Sequence, residues 1–480
     1  MFSDKSEGKG KRIIKEAETM KKETDIRVIC TDRNGLHQES RTGIFSDSKV
    51  TWPREYKYGG PSKVQKLPVI RIDPDDPCQS VLGFGGAFTD ASCFLLDGLD
   101  INERTIVMKR LFSESEGMGF NIGRLTVGQC DFGRYPYSYD DVTDDAEMSH
   151  FSIEPDLECM IPVIQEALAI NPDMFLLSSP WSPPGWMKTG GLMTGGWMRQ
   201  KYLGAFAEYY LHYLHAYRTE GIRIHALTTQ NESETDQLSL MPACYWHPEM
   251  EMAFLRDELL PRLKQNGMAD TEFWIMDHNY LMWRRAKWML DDPSLKAVVK
   301  GVAFHPYEGP AEAMSMLHEA HPDIDVHMTE QGSGFSPTPE AICENGAMYV
   351  DMMRNWSRSI FCWNIALDET GKPHIGPFFE HGKQDGGGLL QIHSGTNKVI
   401  YGCQFWALGH FSKHVKRGAR RLVSTCDMQG IRQVAFRNPD GGYAVVLVNA
   451  GMATEATLVV GERHAHVPLP EGAMMTLLFQ

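Results

Sequence analysis

The sequence predicts an α/β protein: a (β/α)8 TIM barrel joined to a β-sandwich domain that is built from the N- and C-terminal segments. From about residue 79 onward, short apolar runs alternate with longer amphipathic stretches, which is typical of parallel strands connected by helices. After about residue 416, strand-like runs follow one another with only turn signals between them. The 480 residues are enough for a barrel of roughly 250–350 residues and a smaller module.

Eight apolar segments are candidate barrel strands, and the amphipathic segments 158–168, 201–218 and 249–263 are candidate helices between them. The strand candidates are 79–88, 121–129, 175–183, 224–232, 272–280, 299–307, 325–332 and 360–367. An open, doubly wound sheet is the alternative, but that fold usually carries a GxGxxG turn after its first strand. The GFGGAF segment has a different glycine spacing, so the barrel is favoured.

The same patterns divide the chain into four parts. Residues 1–25 are predicted to be a solvated tail, and residues 26–76 supply N-terminal strands of the sandwich, such as DIRVICTD and LPVIRID. Residues 77–416 form the predicted barrel. Residues 417–480, with runs such as IRQVAFR and GYAVVLVNA, complete the predicted sandwich.

Composition and charge exclude several kinds of partner. The net charge of −15, from 47 basic and 62 acidic residues, argues against a nucleic-acid partner or an anionic membrane surface. No run of 18 apolar residues is present, so no integral membrane segment is predicted. The sequence leaves the oligomeric state open.

The cysteines and the N-terminal segment bear on the compartment. The first 25 residues contain no apolar stretch that resembles a signal peptide. Ten cysteines are scattered singly without a CxxC pair, which favours reduced, mostly buried thiols over disulfides or a zinc site. We therefore expect a cytoplasmic location.

In a (β/α)8 barrel the reactive side chains project from the carboxyl ends of the strands. Those ends carry carboxylates, aromatic rings and amides, and no group with metal-ligand spacing, so we predict neither a metal nor a cofactor. Aromatic platforms and hydrogen-bonding side chains suit a sugar ring, which has C–H faces and a hydroxyl rim. The strand-end candidates are Asp131, Trp181, Asn231, Glu232, His278, His305, Tyr307, Glu330 and Trp363.

Two glutamates are the candidate catalytic pair. Glu232 and Glu330 each end an apolar strand, where a charge is costly unless it is paired or functional. They lie 98 positions apart, about three βα units, so their strands face each other across the barrel mouth. Cleavage of a glycosidic bond needs such a pair, one protonated and one ionised. Two ordinary strand-end ion pairs would give the same spacing, and spacing alone leaves both interpretations open.

Seven segments carry a resemblance to a known family: GFGGAFTDA, NIGRLTVGQCDF, SSPWSPPGWMKTGG, LTTQNES, HMTEQG, WNIALDETGKP and ALGHFSKHVKRGARRL. In this order they resemble glycoside hydrolase family 30, which contains the glucosylceramidases. The resemblance covers about residues 79–420, and the remainder fits that family's β-sandwich. It implies hydrolysis of β-glycosides with retention of configuration, through a covalent glycosyl-enzyme.

The resemblance also implies roles for residues around the reacting bond. Glu232 would be the general acid/base and Glu330 the nucleophile, which implies a raised pKa for Glu232. Asn231 would hold the sugar 2-hydroxyl. Arg124 would lie under Glu330 and keep it ionised, and Tyr307 would donate a hydrogen bond to it. An ordinary ion pair in the barrel interior remains the alternative for Arg124.

Other residues are expected to bind the sugar or support the site. Asp131 and Trp181 resemble residues that bind the outer hydroxyls of the non-reducing sugar, and Trp363 resembles the platform on which that sugar stacks. Core packing is the alternative for both tryptophans. His278 and His305 are supporting candidates, for which packing is an equally good explanation.

Two departures from the glucosylceramidase pattern concern the substrate. Strand six reads HPY where HWY is usual, so Pro306 replaces an aromatic residue near the leaving group, and IGPFFEHGKQDGGGL replaces a stretch that carries a sugar-binding asparagine. We expect a carbohydrate or glycoconjugate substrate, either a β-glucoside or a short β-linked gluco-oligosaccharide, with β-xylosides and β-1,6-glucan as alternatives. A non-catalytic carbohydrate-binding protein and a metal-dependent barrel hydrolase are the alternatives from other classes.

Overall fold

The structure is a computed structural model that describes residues 25–44, 67–375 and 387–480. Residues 1–24, which make up nearly all of the predicted tail, lie outside the described residues. So does most of the IGPFFEHGKQDGGGL stretch, at 376–386. Eight parallel strands close into a barrel, and nine strands from both ends of the chain form a second sheet. The predicted barrel-plus-sandwich architecture is confirmed.

The strands are numbered in chain order. The N-terminal segment supplies β1 (Asp25–Asp32), β2 (Gly35–Ile44) and β3 (Val69–Ser80). The barrel strands are β4 (Gly83–Phe88), β5 (Ile122–Thr126), β6 (Phe175–Ser179), β7 (Ala226–Thr228), β8 (Glu272–Asn279), β9 (Gly301–His305), β10 (Asp325–Met328) and β11 (Ser357–Cys362). A three-stranded sheet contains β12 (Ala366–Leu367), β13 (Leu390–Ile392) and β14 (Val399–Tyr401). The C-terminal segment supplies β15 (Arg420–Cys426), β16 (Ile431–Arg437), β17 (Tyr443–Asn449), β18 (Thr454–Val460), β19 (Arg463–Leu469) and β20 (Ala473–Phe479).

The α-helices of the described residues lie between these strands. They are α1 (Asp90–Asp97), α2 (Ile101–Phe112), α3 (Glu154–Leu157), α4 (Met160–Ile170), α5 (Leu203–Thr219), α6 (Pro248–Ala253), α7 (Leu260–Gln265), α8 (Trp283–Leu290), α9 (Pro293–Lys296), α10 (Glu312–Ala320), α11 (Pro339–Arg354) and α12 (Cys403–Ser412). A π-helical turn, Phe254–Leu259, joins α6 to α7 inside the predicted helix 249–263. Pro261 accompanies this irregularity, because proline has no N–H with which to continue an α-helical ladder.

The barrel closes in the order β10-β11-β4-β5-β6-β7-β8-β9. Its strands read as continuous apolar runs because helices and core side chains cover both faces; every residue of β4 and β5 is buried. The glycines of β4 allow a close approach to β5. A Cβ on Gly85 would lie 1.9 Å from the carbonyl oxygen of Ile122.

The second sheet has the strand order β19-β18-β3-β15-β16-β17-β20-β1-β2. Its pairs are antiparallel except for β18 with β3. β3 continues to Ser80, beyond the predicted domain limit at residue 76. His410 on α12 fixes the barrel to this sheet, because its ring nitrogens lie 2.9 Å from Thr31 Oγ1 and 3.0 Å from Thr476 Oγ1.

All ten cysteine thiols are free, and eight of them are buried. In the described part of the chain, no helix combines the length and apolar character needed to cross a bilayer.

Three tyrosine hydroxyls, from Tyr137, Tyr139 and Tyr217, donate to the buried carboxylate of Asp156 beside the barrel. The Asp156 carboxylate therefore has three hydrogen-bond donors close by.

Candidate active site

The predicted strand-end residues meet around one cavity of about 800 Å³ at the carboxyl ends of the barrel strands. Its lining includes eight of them: Asp131, Trp181, Asn231, Glu232, His278, Tyr307, Glu330 and Trp363. His305 and Arg124 are fully buried and contact the two glutamates from within the barrel. The structure therefore brings all of the predicted site residues into one region.

Glu330 follows β10 and is held by two donors. Arg124 Nη1 lies 2.5 Å from Glu330 Oε2, and the Tyr307 hydroxyl donates to Glu330 Oε1 at 2.8 Å. Burial raises the pKa of Tyr307 well above its ordinary value, and the charge of Glu330 adds to this, so the phenol remains a donor. One oxygen of Glu330 is thus committed to Arg124 and the other to Tyr307.

Glu232 lies in the loop after β7 with a left-handed backbone, at φ 53°. This conformation is unfavourable for a residue with a Cβ, and here the Glu232 N–H donates to the carbonyl of Asp277 at 2.9 Å. Its Oε1 lies 3.1 Å from His305 Nδ1, and its Oε2 accepts a hydrogen bond from Gln237 Nε2. Both oxygens of the second glutamate therefore also have partners.

Asp277 is a central residue that the sequence analysis missed. It lies on β8 at a bulge, with φ 49°, which turns its side chain toward the barrel axis. Its Oδ2 lies 2.9 Å from Arg124 Nη2, and its Oδ1 lies 3.1 Å from His305 Nε2. A carboxylate inside the apolar run EFWIMDHN was the available signal, by the same reasoning that selected Glu232 and Glu330.

Three hydroxyls at the carboxyl ends of β6, β7 and β10 also donate to Asp277. They belong to Ser179, Thr228 and Thr329, at 2.7–2.8 Å. Burial alone would raise the pKa of Asp277, but the charge of Arg124 and the hydrogen bond from His305 outweigh it and leave this pKa far below its ordinary value. Asp277 is a fixed negative charge beneath the two glutamates.

His305 is the fully buried link between Asp277 and Glu232. Burial lowers its pKa, but the charge of Glu330 and the bonds to Asp277 and Glu232 outweigh burial and raise this pKa to about 9. The expected raised pKa of Glu232 is wrong for this structure. Burial does raise it, yet the bond from His305, with the charges of His305, His278 and Arg124, leaves it below its ordinary value. These two shifts favour a proton on the imidazole of His305 over one on the Glu232 carboxyl group.

The two glutamates are close together. One oxygen of Glu232, one oxygen of Glu330 and one nitrogen of His305 lie within 4.8 Å of one another. Retaining glycosidases have carboxyl groups about 5–5.5 Å apart, whereas inverting enzymes need about 6.5–9.5 Å for an intervening water.

The same atoms of Glu232, His305 and Glu330 could also hold a metal ion. However, Arg124 already neutralises Glu330, and both nitrogens of His305 are bonded to carboxylates.

The predicted sugar-binding residues form one wall of the cavity. The rings of Trp181 and Trp363 stack at 4.9 Å, and the guanidinium of Arg124 lies 4.7 Å from the centroid of Trp181. Asn231 Oδ1 accepts a hydrogen bond from Arg124 Nη2 at 2.8 Å, which fixes the direction of its amide. The position of Asn231 is therefore set by the arginine that also holds Glu330.

Asp131 and His278 line the cavity, and neither forms an ion pair with another of the described residues. Asp131 Oδ1 has no hydrogen-bond partner among the described residues. Burial raises the pKa of Asp131 to about 8, and the charges of Glu330 and Glu232 add to this effect. Burial also lowers the pKa of His278, whose Nδ1 accepts the N–H of Asn279 at 2.8 Å. Asp131 thus lines the cavity with one carboxyl oxygen that has no protein partner among the described residues.

Several known proteins are similar to this chain over most of its length. The chain is similar to the lysosomal acid glucosylceramidase of Mus musculus, 29% identical over 79% of this chain and 77% of that protein. It is also similar to an endo-1,6-β-D-glucanase of Neurospora crassa, 28% identical over 85% and 86%. The solved endo-β1,6-glucanase BT3312 superposes with a TM-score of 0.82, at 26% identity over 95% of this chain and 98% of that one.

Two family models cover most of the chain. Residues 81–415 match the glycosyl hydrolase family 30 TIM-barrel domain, and residues 418–477 match the family 30 β-sandwich domain. A glycoside hydrolase acts on a carbohydrate substrate, so a purely carbohydrate-binding role no longer describes this protein. The chain belongs to glycosyl hydrolase family 30.

Proposed function

We propose that this chain hydrolyses β-glucosides with retention of configuration, with Glu330 as nucleophile and Glu232 as general acid/base. One observation carries the proposal. Two buried carboxylates have oxygens within 4.8 Å of each other, one of them bonded to Arg124 and the other to His305. Arg124 keeps its charge and holds one carboxylate ionised, whereas His305 can pass a proton to the other, and this difference suits a division into nucleophile and acid/base.

In the first step, Glu330 attacks the anomeric carbon and forms a glycosyl ester, while the bond to the leaving oxygen breaks. The leaving oxygen takes a proton from Glu232. Arg124 and Tyr307 hold the attacking carboxylate in place. The proton of the His305–Glu232 pair can reach Glu232 across their 3.1 Å contact.

In the second step, Glu232 accepts a proton from water, and the water oxygen attacks the anomeric carbon and releases Glu330. Formation of the ester removes the charge of Glu330, which contributes to the raised pKa of His305. Without that charge, His305, which has passed its proton to Glu232, is favoured in its neutral form, while Asp277 remains ionised beneath it. Asp277 and His305 therefore act as positioning residues for the acid/base.

Azide trapping tests the two roles together. In Glu232→Ala, the ester still forms from a 2,4-dinitrophenyl β-glucoside, and azide should intercept it to give the β-glucosyl azide. In Glu330→Ala no ester can form, and direct attack by azide should give the α-glucosyl azide. NMR identifies the anomers. Exchanged anomers would reverse the assignment, and full activity in both variants would exclude this mechanism.

The substrate is proposed to be a β-glucoside of the glucosylceramide type, and a β-1,6-glucan is the second candidate. The similarity to both an acid glucosylceramidase and endo-1,6-glucanases supports these two. Both substrates present a β-linked glucose to the cavity. A comparison of kcat/KM for glucosylceramide in detergent micelles, β-1,6-linked gluco-oligosaccharides and 4-nitrophenyl β-xyloside would rank them. Preference for the xyloside would contradict the proposal.

A further inference from the structure

The acid/base carboxylate has a second partner that the mechanism above does not use. Gln237 Nε2 donates a hydrogen bond to Glu232 Oε2, on the side away from His305. Gln237 is five residues further along the loop and lines the cavity with Glu234 and Thr235. Glu232 is thus held between His305 inside the barrel and an amide from the loop.

The loop is built to present that amide. Gln237, Leu238 and Ser239 are consecutive left-handed residues, with φ 50°, 54° and 57°. Each costs about 1–2 kcal/mol relative to ordinary backbone, so three in a row persist only where other contacts enforce them. Asp236 provides such contacts, because its Oδ1 accepts the N–H of Leu238 at 3.0 Å and its carbonyl accepts the N–H of Ser239 at 2.8 Å.

A neighbouring loop supports the same segment from outside. Gly195 comes so close to Ser239 that a Cβ on the glycine would lie 2.2 Å from the serine Oγ. The Gln237 N–H is also fixed, since Thr235 Oγ1 accepts it at 3.0 Å. The strained backbone is therefore secured on both sides of Gln237, and the cavity-lining amide has a defined position.

We propose that Gln237 is a positioning residue that holds Glu232 and stabilises the negative charge that develops on its Oε2 during proton donation. This inference rests on the proposed acid/base role of Glu232. The proton that His305 passes to Glu232 arrives at Oε1, so Oε2 stays free to accept the hydrogen bond from Gln237. When the proton leaves for the glycosidic oxygen, the negative charge is shared by both carboxylate oxygens, and the Gln237 N–H stabilises it at Oε2.

This role makes the effect of Gln237 depend on the leaving group. A dinitrophenolate departs without a proton, so its release does not depend on the acid. An ordinary phenolate needs that proton, and the amide then stabilises a charge that forms only in the transition state. We expect Gln237→Leu to lower kcat/KM for phenyl β-glucoside by about tenfold and for 2,4-dinitrophenyl β-glucoside by less than about twofold.

The pH profile provides a readout that mere damage to the loop would not change. Removal of a donor to a carboxylate raises its pKa, so the basic limb of kcat/KM for Gln237→Leu should move to higher pH. The titratable and charged groups that face Glu232 and are unaltered in this variant are His305, His278, Arg124, Glu330, Asp131 and Tyr307. Gln237→Glu should lose activity where the introduced carboxyl group is ionised and recover at lower pH, where the protonated carboxyl is again a donor.

Leu238→Ala is the matched control, because this neighbour shares the left-handed backbone but its side chain is 72% exposed. It should change kcat/KM by less than about twofold on either glucoside. Equal losses on both glucosides in Gln237→Leu, with an unmoved basic limb, would overturn the proposal. The kcat/KM of Glu232→Ala is measured on the same two glucosides. If this variant too loses both activities equally, the acid/base assignment itself fails, and Gln237 has no acid to support.

Discussion

The barrel mouth and the nine-stranded sheet differ in where they place charged side chains. In the sheet, β19 alternates buried Ala465 and Val467 with exposed His466 and Pro468, the usual pattern for a sheet with one covered face. At the mouth, Arg124, Asp277 and His305 are fully buried. Each of them bonds to at least one other buried charged group. The sheet is a stabilising element, whereas the mouth combines stability with chemistry in the same groups.

The largest effect is expected for Asp277→Ala, which tests whether the buried charges at the barrel mouth stabilise one another. Asp277→Ala leaves Arg124 and His305 without their shared counter-charge, so we expect a loss of about 3–5 kcal/mol in the free energy of unfolding. We also expect kcat/KM to fall by about a hundredfold or more, because both glutamates lose their supports. Denaturant titration and steady-state kinetics measure the two quantities. A change in stability below about 1 kcal/mol would show that these charges do not depend on one another.

A comparable loss of stability in the sheet should leave catalysis intact. Leu477 is fully buried in β20, between β1 and β17, so Leu477→Ala should cost about 2–5 kcal/mol. The kcat/KM of the folded fraction at 25 °C should stay within about twofold of the parent value. A large loss of activity under conditions in which Leu477→Ala is fully folded would contradict this separation of roles, because the sheet would then contribute to the geometry of the site.

The sequence was sufficient for the barrel because its signal is local. Apolar segments of eight to ten residues, separated by amphipathic helices, placed all eight strands within a few residues of their observed positions. The eighth was predicted to extend to residue 367. In the structure β11 ends at Cys362, and Ala366–Leu367 pair instead with β13. A two-residue strand on another sheet leaves no periodic pattern to detect.

The site was predictable where a side chain lies at a strand end, and less so elsewhere. Glu232 and Glu330 follow their strands, so position along the chain identified them. Asp277 lies within β8, and only the bulge directs it toward Arg124. The protonation of Glu232 depends on His305, which is 73 positions away in sequence. Neither a bulge nor a contact between distant residues can be read from strand periodicity.

A smaller effect is expected for Asp131→Asn, which should lower activity but reduce the loss of stability that accompanies rising pH. Asp131→Asn should lower kcat/KM by at least tenfold, about 1.4 kcal/mol, because the sugar hydroxyls lose the carboxyl group as a hydrogen-bond partner. Its folded pKa of about 8 exceeds the ordinary value of 3.8. The stability linked to this proton is therefore fully present below pH 3.8 and is lost as the pH rises through 8.

The pH dependence of stability checks this sign. Between pH 3.8 and pH 8, the raised pKa of Asp131 makes the free energy of unfolding fall by about 1.4 kcal/mol per pH unit. The asparagine variant lacks that proton, so its free energy of unfolding should decline less than that of the parent protein between pH 5 and pH 7. Thermal or urea unfolding at the two pH values gives the comparison. An unchanged slope would mean that Asp131 ionises normally in the folded protein.

The smallest expected effect compares one ion pair from each region at the same distance. Arg432 on β16 lies 2.5 Å from Asp351 on α11, and Arg124 lies 2.5 Å from Glu330. The first pair is solvated, with side chains 54% and 33% exposed, while the second is nearly completely buried. Water screens the exposed charges and replaces a lost partner, so Arg432→Gln should change the free energy of unfolding by less than about 1 kcal/mol. Its kcat/KM should equal that of the parent protein, and raising the salt concentration should reduce even this difference in stability. A loss of about 3 kcal/mol or more, the cost expected for a broken buried pair, would mean that distance rather than burial sets the value of an ion pair in this protein.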